Sequence, residues 1–127
     1  MQDYREEEGY YDRIVSVGMF EHVGVNYFSK FFLKTGQLLN DKGIFLLHTI
    51  GYKGKPTATS PWMRKYIFPG GYIPSLSEIL KVCEKHEITI YDIEVLHHHY
   101  AYTLKHWYNN LLKNKEKIIE IFDDRFF

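Results

Sequence analysis

Two short, unbroken apolar runs, separated by a segment of helical spacing, constrain the fold of this chain more than any other feature. The runs are RIVSV at residues 13–17 and GIFLLHTIG at residues 43–51. Neither run alternates with polar residues, which is typical of strands covered on both faces in a parallel sheet. Parallel neighbours need a crossover connection, and the segment in between supplies a helix for it. The sequence therefore predicts a right-handed strand–helix–strand unit.

The connecting segment, VNYFSKFFLKTGQLLND at residues 25–41, has apolar side chains three to four positions apart. These side chains are Tyr27, Phe28, Phe31, Phe32, Leu38 and Leu39. The sequence NDKG at residues 40–43 then favours a turn into the second strand. One amphipathic helix is expected in this connection.

The second half of the chain begins with a loop, YKGKPTATSP, and an aromatic-rich segment broken by Pro69, Gly70 and Gly71. Ser75 and Glu78 then form the S-x-x-E pattern of a capping box, which predicts the start of a helix. The alternation in EITIYDIEVL at residues 87–96 predicts a half-exposed strand. A long helix is expected from residue 100 onward. Strands and helices that alternate in this way indicate an α/β protein.

Length and composition exclude several classes. With 127 residues the chain is one domain at most, and we interpret residues 1–127 as a single partial domain. Sixteen basic residues balance sixteen acidic ones, so no nucleic-acid partner is expected. The one cysteine, Cys83, lies on the apolar face of the predicted helix and is expected in the core. No apolar run is long enough to span a membrane, and we expect a cytoplasmic protein.

Polar side chains follow the predicted strands at the edge where ligands of open parallel sheets bind. Glu21 and His22 follow the first strand, and His48, Thr49 and Ile50 end the second. The third predicted strand ends at HHHY, residues 97–100. Since the carboxyl ends of parallel strands share one edge, three strand ends are expected to converge there.

Each of these residues also has a plainer interpretation. Glu21 favours the first turn of the following helix, where an acidic side chain is stabilised. His48 fits a hydrogen-bonded core histidine, and the histidines at 97–99 fit a solvated corner. No metal site is expected, because consecutive histidines in an extended segment point to opposite faces.

Four stretches together resemble the cyclopropane-fatty-acyl-phospholipid synthase family, which includes the mycolic acid cyclopropane synthases. They are DYREEEGYYDRIVSVGMFEHVG, GIFLLHTIG, SPWMRKYIFPGGYIPSLSEIL and HYAYTLKHWYNNL. The resemblance implies part of a class I, Rossmann-like methyltransferase sheet, namely its strands four to six with flanking helices. The first half of that domain, with the glycine-rich loop and the acidic residue that holds the cofactor ribose, has no counterpart in this sequence.

The family transfers a methyl group from S-adenosylmethionine to a cis double bond of a lipid acyl chain, with bound bicarbonate as the base. The resemblance carries the bicarbonate-holding roles over to Glu21, His48, the backbone of Ile50 and Tyr100. Bicarbonate needs hydrogen-bond donors, which imidazole, phenol and amide groups supply. Glu21 is expected to accept the bicarbonate hydroxyl proton and so to orient the ion.

The resemblance also implies the residues that contact the cofactor. Gln2, Asp3 and Tyr4 are expected near the adenine, with Val17 and His22 beside it. Glu21 thus faces the chemistry and its neighbour His22 faces the cofactor.

The implied partners are unsaturated phospholipid acyl chains at the inner face of the membrane, with a homodimer as an option for a full-length protein. Two alternatives stay open. One is a related fatty-acid or amine methyltransferase. The other is an inactive fragment that only contacts lipid or a partner, through the basic residues Lys105, His106, Lys113, Lys115 and Lys117, although such a run is more often a solvated helix face.

Overall fold

A computed structural model describes residues 2–125 and residue 127. The chain divides into two compact units, Met1–Ile90 and Tyr91–Phe127, which are described separately. The prediction that residues 1–127 form one partial domain stays a prediction.

The first unit is built on a parallel pair of strands. Strand β1 is Tyr11–Val17 and strand β2 is Leu39–His48. They pair in parallel from Arg13 opposite Ile44 to the ends of both strands. Helix α1, Phe28–Leu38, connects them, so the predicted strand–helix–strand unit is present.

Residues 40–43, predicted as a turn, belong to β2 and bulge out of it. Tyr11 pairs with Leu39 and Arg13 with Ile44, so the register shifts between the two pairs. Gly43 lies in this bulge, where a Cβ atom would be 2.7 Å from Leu39 Cδ2 and 2.9 Å from the Asn40 carbonyl oxygen. Glycine is required here because a side chain would collide with the backbone of the bulge.

The core of the first unit consists of phenylalanine rings between α1 and its neighbours. The fully or nearly fully buried members are Phe20, Phe28, Phe31, Phe32 and Cys83. Phe20 stacks on Phe28 with ring centroids 4.2 Å apart, and it also contacts Phe31 and Phe32. Cys83 is buried, as predicted from its place on the apolar helix face.

Among the described residues one face of the sheet is open, whereas the sequence predicted strands that are covered on both faces. Phe45 and Leu47 pack against the core, and Ser16 is buried beneath it. The alternate residues Val15, Val17, Ile44 and Leu46 are each more than half exposed. Successive strand residues point to opposite faces, and the helices of this unit cover one face.

Helix α2, Leu76–Lys85, begins at the predicted capping box. The Glu78 amide donates to Ser75 Oγ, and the Ser75 amide donates back to Glu78 Oε2 at 2.9 Å. Helix α2 packs against α1, where Ser29 Oγ and His86 Nε2 are 2.7 Å apart.

The prediction of a strand at residues 87–96 is wrong. The third strand end that was expected at the edge of the sheet is therefore missing from the described part of the chain. Residues 88–96 are irregular and cross the boundary between the two units. An extended segment needs a hydrogen-bonded neighbour to become a strand, and the sheet in the described part of the chain pairs only β1 with β2. Tyr91 and Val95 are largely exposed, so the alternation of apolar residues did not bury a face.

The second unit holds two helices where one long helix was predicted. Helix α3 is His99–Lys113 and helix α4 is Lys115–Ile121, with a break at Asn114. His99 begins α3 and the two preceding histidines form a turn. The prediction that the three histidines lie in an extended segment is therefore also wrong. Among the described residues, no helix has the length and apolar character that a membrane crossing requires.

Candidate functional site

The end of β1 carries Glu21 into the interior. Gly18 closes the strand with a φ of 64°, a left-handed conformation that favours glycine. Its amide donates to the carbonyl of His48 at 3.1 Å, which ties the ends of β1 and β2 together. A single turn of 3₁₀ helix, Phe20–His22, follows. Because Phe20 is anchored among the core rings, the neighbouring Glu21 is also held below the surface.

Glu21 is a buried carboxylate with one satisfied oxygen. Its side chain is 8% exposed, and its Oε1 accepts a hydrogen bond from the Ile50 amide at 2.6 Å. Its Oε2 is buried and has no hydrogen-bond partner among the described residues. Its backbone carbonyl accepts from the Tyr72 amide at 2.8 Å. An unsatisfied buried acceptor is costly, so the free oxygen calls for a donor. Glu21 does lie in the first turn of the helix that follows β1, the 3₁₀ turn Phe20–His22, as the plainer interpretation expects. Its burial and its bond to Ile50 go beyond that interpretation.

The Ile50 amide donates a hydrogen bond to Glu21, a contact that the sequence did not predict. The role of this amide toward bicarbonate stays a prediction. The two residues do meet at the predicted edge of the sheet, and the amide orients the carboxylate there.

The two histidines of this edge are exposed. His48 is the last residue of β2, opposite Val17 in the register, and its exposure excludes the alternative of a core histidine. His22 ends the 3₁₀ turn one residue after Glu21 and is also exposed. A buried acid thus follows β1, and an exposed imidazole ends β2.

Tyr100 belongs to the second unit, in the first turn of α3. It is 41% exposed, and its ring lies 6.4 Å from that of Trp107. It does not follow a third strand, as the sequence had suggested. That Tyr100 joins Glu21 in one cavity stays a prediction.

The N-terminal residues predicted near the adenine form a short turn. Asp3 begins the 3₁₀ turn Tyr4–Glu6, and its carboxylate is paired with Arg5 at 2.5 Å. Hydrogen bonds from the Arg5 side chain and amide lower the pKa of Asp3 to about 2. The Gln2 side-chain amide donates to the Glu6 carbonyl at 3.3 Å.

Two of the predicted cofactor residues line the same cleft. Tyr4 and Val17 border a cleft of about 310 Å³ between the N-terminal turn, β1 and α1. Met19 and Ser16 also line it, and Ser16 Oγ is buried without a hydrogen-bond partner among the described residues. The cleft is mostly apolar with a single unsatisfied hydroxyl, a composition common in sites for small organic ligands.

Tyr72 supports Glu21 and was not identified from the sequence. Its amide donates to the Glu21 carbonyl, and its hydroxyl donates to Glu78 Oε1 at 2.7 Å. Burial and the bond to Glu78 raise the pKa of Tyr72 to about 12, so the phenol stays neutral. The capping box was the sequence signal that could have identified Tyr72. It holds the Glu78 side chain through the Ser75 amide, and the other oxygen of that carboxylate accepts from the Tyr72 hydroxyl.

A parallel strand–helix–strand unit with polar side chains at its carboxyl edge is the building block of Rossmann-like α/β folds. Comparison with solved structures agrees. The cyclopropane synthase MmaA2 from Mycobacterium tuberculosis superposes with a TM-score of 0.81 at 29% identity, over 96% of this chain and 47% of that one. The mycolic acid cyclopropane synthase CmaA1, solved with SAH and CTAB, gives the same TM-score, identity and coverage. The fold is therefore part of the class I methyltransferase fold.

Sequence comparison identifies the family. The mycolic acid cyclopropane synthetase family model matches residues 1–127, and the chain belongs to that family. The cyclopropane-fatty-acyl-phospholipid synthase of Escherichia coli K12 is 41% identical over 99% of this chain. The tuberculostearic acid methyltransferase UfaA1 of Mycobacterium tuberculosis is 34% identical over 98% of it. The chain spans about a third of the length of these relatives, 33% and 30%.

Proposed function

We propose that this chain is part of an S-adenosylmethionine-dependent enzyme that adds a methylene or methyl group to the cis double bond of unsaturated phospholipid acyl chains. The family supports the class of reaction. The observation that carries the proposal is the Glu21 carboxylate, which is buried, oriented by Ile50 and free at Oε2.

An alkene is a weak nucleophile, so catalysis depends on alignment and on the exclusion of water. S-adenosylmethionine would supply the methyl group. The cleft bordered by Tyr4 and Val17 supports a cofactor position beside the end of β1, with its apolar lining and its unsatisfied Ser16 hydroxyl. Gln2, Asp3 and His22 are proposed to contact the cofactor as well.

Bicarbonate, the base implied by the family resemblance, fits the free Glu21 oxygen. Oε2 would accept the hydroxyl proton of the anion, which satisfies a buried acceptor that has no partner among the described residues. The exposed His48 supplies a donor at the same edge, and Tyr100 is proposed as a second donor. Bound there, bicarbonate would supply a base for the proton that is lost when the ring closes. The Ile50 amide acts through Glu21, whose orientation it fixes.

Simple methylation is the second candidate, and one finding favours it. The matched relatives include the tuberculostearic acid methyltransferase UfaA1 and the sphingolipid C9-methyltransferase 2 of Gibberella zeae, whose names specify methylation. Methyl transfer to the double bond would leave a carbocation on the acyl chain. Loss of a proton from the new methyl group would close the cyclopropane ring, whereas loss of a proton from a neighbouring chain carbon would leave a methyl-branched alkene.

The test uses the full-length polypeptide that contains this chain, with labelled S-adenosylmethionine and unsaturated phospholipid vesicles. Glu21→Gln keeps an acceptor for the Ile50 amide but places an amide group at Oε2, and we expect turnover to fall about 100-fold or more. Glu84→Gln, an exposed acid on α2, is the matched control and should leave turnover unchanged. Full activity of Glu21→Gln would contradict the proposed role, and the ratio of cyclopropane to methyl-branched product decides between the two candidates.

A further inference from the structure

A loop leaves the candidate site after Tyr52 and returns to it at Pro74; residues 53–73 are called here the basic–aromatic loop. Its ends meet where the Tyr52 amide donates to the Pro74 carbonyl at 2.8 Å. Ile50, which orients Glu21, lies just before the loop, and Tyr72, which also binds Glu21, lies within it. Both ends of the loop are therefore tied to the segment around Glu21.

The loop is a local concentration of positive charge in a chain of zero formal net charge. Its cations are Lys53, Lys55, Arg64 and Lys65, all of them exposed. The sequence contains no acidic residue between Asp41 and Glu78. Within the described part of the chain, none of the four cations forms an ion pair with a carboxylate. Their charge is thus free to act on an anionic partner.

Large apolar side chains of the loop are exposed among these cations. Trp62 is 60% exposed, Tyr66 is 62% exposed and Ile67 is 45% exposed. The Trp62 and Tyr66 rings lie 6.1 Å apart, and Lys65 Nζ is 4.9 Å from the centre of the Tyr66 ring. Tryptophan and tyrosine interleaved with lysine and arginine are characteristic of surfaces that lie at the membrane–water interface.

The loop has an internal framework that holds these side chains. Thr59 Oγ1 donates to the Gly71 carbonyl at 3.2 Å, which links the two arms of the loop. A π-helical turn, Met63–Ile67, lies between them and is closed where the Phe68 amide donates to the Met63 carbonyl at 2.8 Å. A surface that is already ordered loses less conformational entropy when it docks.

We propose that the basic–aromatic loop is a docking surface for a lipid bilayer that carries anionic headgroups. Trp62 and Tyr66 enter the headgroup region, and the four cations bind headgroup phosphates. Charge complementarity favours this partner, because every charged residue of the loop is positive and the headgroups are negative. This inference rests on the proposed function. If the enzyme acts on phospholipid acyl chains, a loop that docks on the bilayer brings the site to its substrate.

The experiment measures co-sedimentation with vesicles of phosphatidylcholine alone and of phosphatidylcholine with phosphatidylglycerol. The chain should bind the anionic vesicles, and added salt should weaken the binding. Arg64→Gln with Lys65→Gln should lower the partition coefficient about 30-fold, which follows from ~1 kcal/mol for each basic residue near an anionic surface. Arg64→Lys with Lys65→Arg, which keeps both charges, should restore it.

The matched control removes the same charge from the other unit. Lys105→Gln with Lys113→Gln changes two exposed cations on α3, among exposed aromatic residues, and should leave the partition coefficient within about twofold. In the 127-residue chain, Trp107→Phe leaves Trp62 as the only tryptophan, which allows a local readout. Its emission should shift to shorter wavelength when anionic vesicles are added.

Several results would overturn the proposal. Binding that falls equally in the α3 variant, that is equal for both kinds of vesicle, or that leaves the Trp62 emission unchanged would contradict it. Sedimentation without vesicles would indicate that a second copy of the chain is the partner. Binding of a single-stranded oligonucleotide in place of vesicles would indicate a nucleic acid. Vesicle binding needs neither cofactor nor turnover. If the full-length protein binds vesicles normally but Glu21→Gln keeps full turnover, only the proposed function is contradicted. If the enzyme is active but its vesicle binding does not depend on the loop, only this inference is contradicted.

Discussion

The Ile50 amide donates a hydrogen bond to Oε1 of Glu21 at 2.6 Å, across 29 positions of sequence. The bond joins the segments that follow the two parallel strands, so it fixes a buried carboxylate and closes the edge of the sheet at once. The second carboxylate oxygen remains unsatisfied among the described residues. One residue therefore has a structural oxygen and an oxygen available to a ligand.

Removal of the Glu21 side chain should destabilise the first unit. Glu21→Ala leaves the Ile50 amide without its acceptor, and the loss of a hydrogen bond to a charged group costs about 2 kcal/mol in the free energy of unfolding. Glu21→Gln keeps a carbonyl oxygen for the same amide and should cost less than about 1 kcal/mol. Urea unfolding measures both values. Equal destabilisation by the two variants would show that the hydrogen bond is not the source of the effect.

Two glycine substitutions should act in opposite directions. Gly43→Ala places a Cβ against Leu39 and the Asn40 carbonyl, and relief of that overlap should cost about 1–3 kcal/mol. Gly36 lies in α1, where an added Cβ would meet no atom within 4 Å, so Gly36→Ala should stabilise by about 0.5–1 kcal/mol. Thermal unfolding gives both shifts. A neutral Gly43→Ala would mean that the bulge relaxes without strain.

Stability should fall in acid through Glu78. Burial raises its pKa, but hydrogen bonds from Tyr72 and Ser75 outweigh burial, so the pKa lies below the usual 4.5. A carboxylate with a lowered folded pKa adds stability that is present above the unfolded pKa and is lost as pH falls through the folded pKa. Melting temperatures from neutral to acid pH should show this loss. Glu78→Gln should flatten the curve in that window, whereas the exposed Glu84→Gln should not.

The 127-residue chain by itself should bind S-adenosylmethionine poorly. It spans 33% of the Escherichia coli relative, and the glycine-rich loop and ribose-binding acid implied by the family resemblance have no counterpart in it. Backbone amides of such a loop and a ribose-binding carboxylate supply much of a nucleotide site. Calorimetric titration should give no saturation at millimolar cofactor. Micromolar binding would contradict this expectation and would locate a complete cofactor site in this chain.

Local sequence patterns predicted the elements that depend on near neighbours. The spacing of Phe28, Phe31 and Phe32 gave α1, and Ser75 with Glu78 gave the start of α2. The apolar runs gave β1 and most of β2. The alternation at 87–96 failed, because a strand depends on a partner that the alternation itself does not specify.

The sequence by itself determined the parallel strand–helix–strand unit, the aromatic core and the family, because apolar spacing and short motifs are local properties. Only the tertiary structure decided that the Ile50 amide binds Glu21, that Tyr72 supports the same residue, and that one face of the sheet is open among the described residues. These are contacts between segments far apart in the chain. Hydrogen-bond partners and the coverage of a sheet face depend on how such segments pack, and local sequence patterns do not show which atoms will meet.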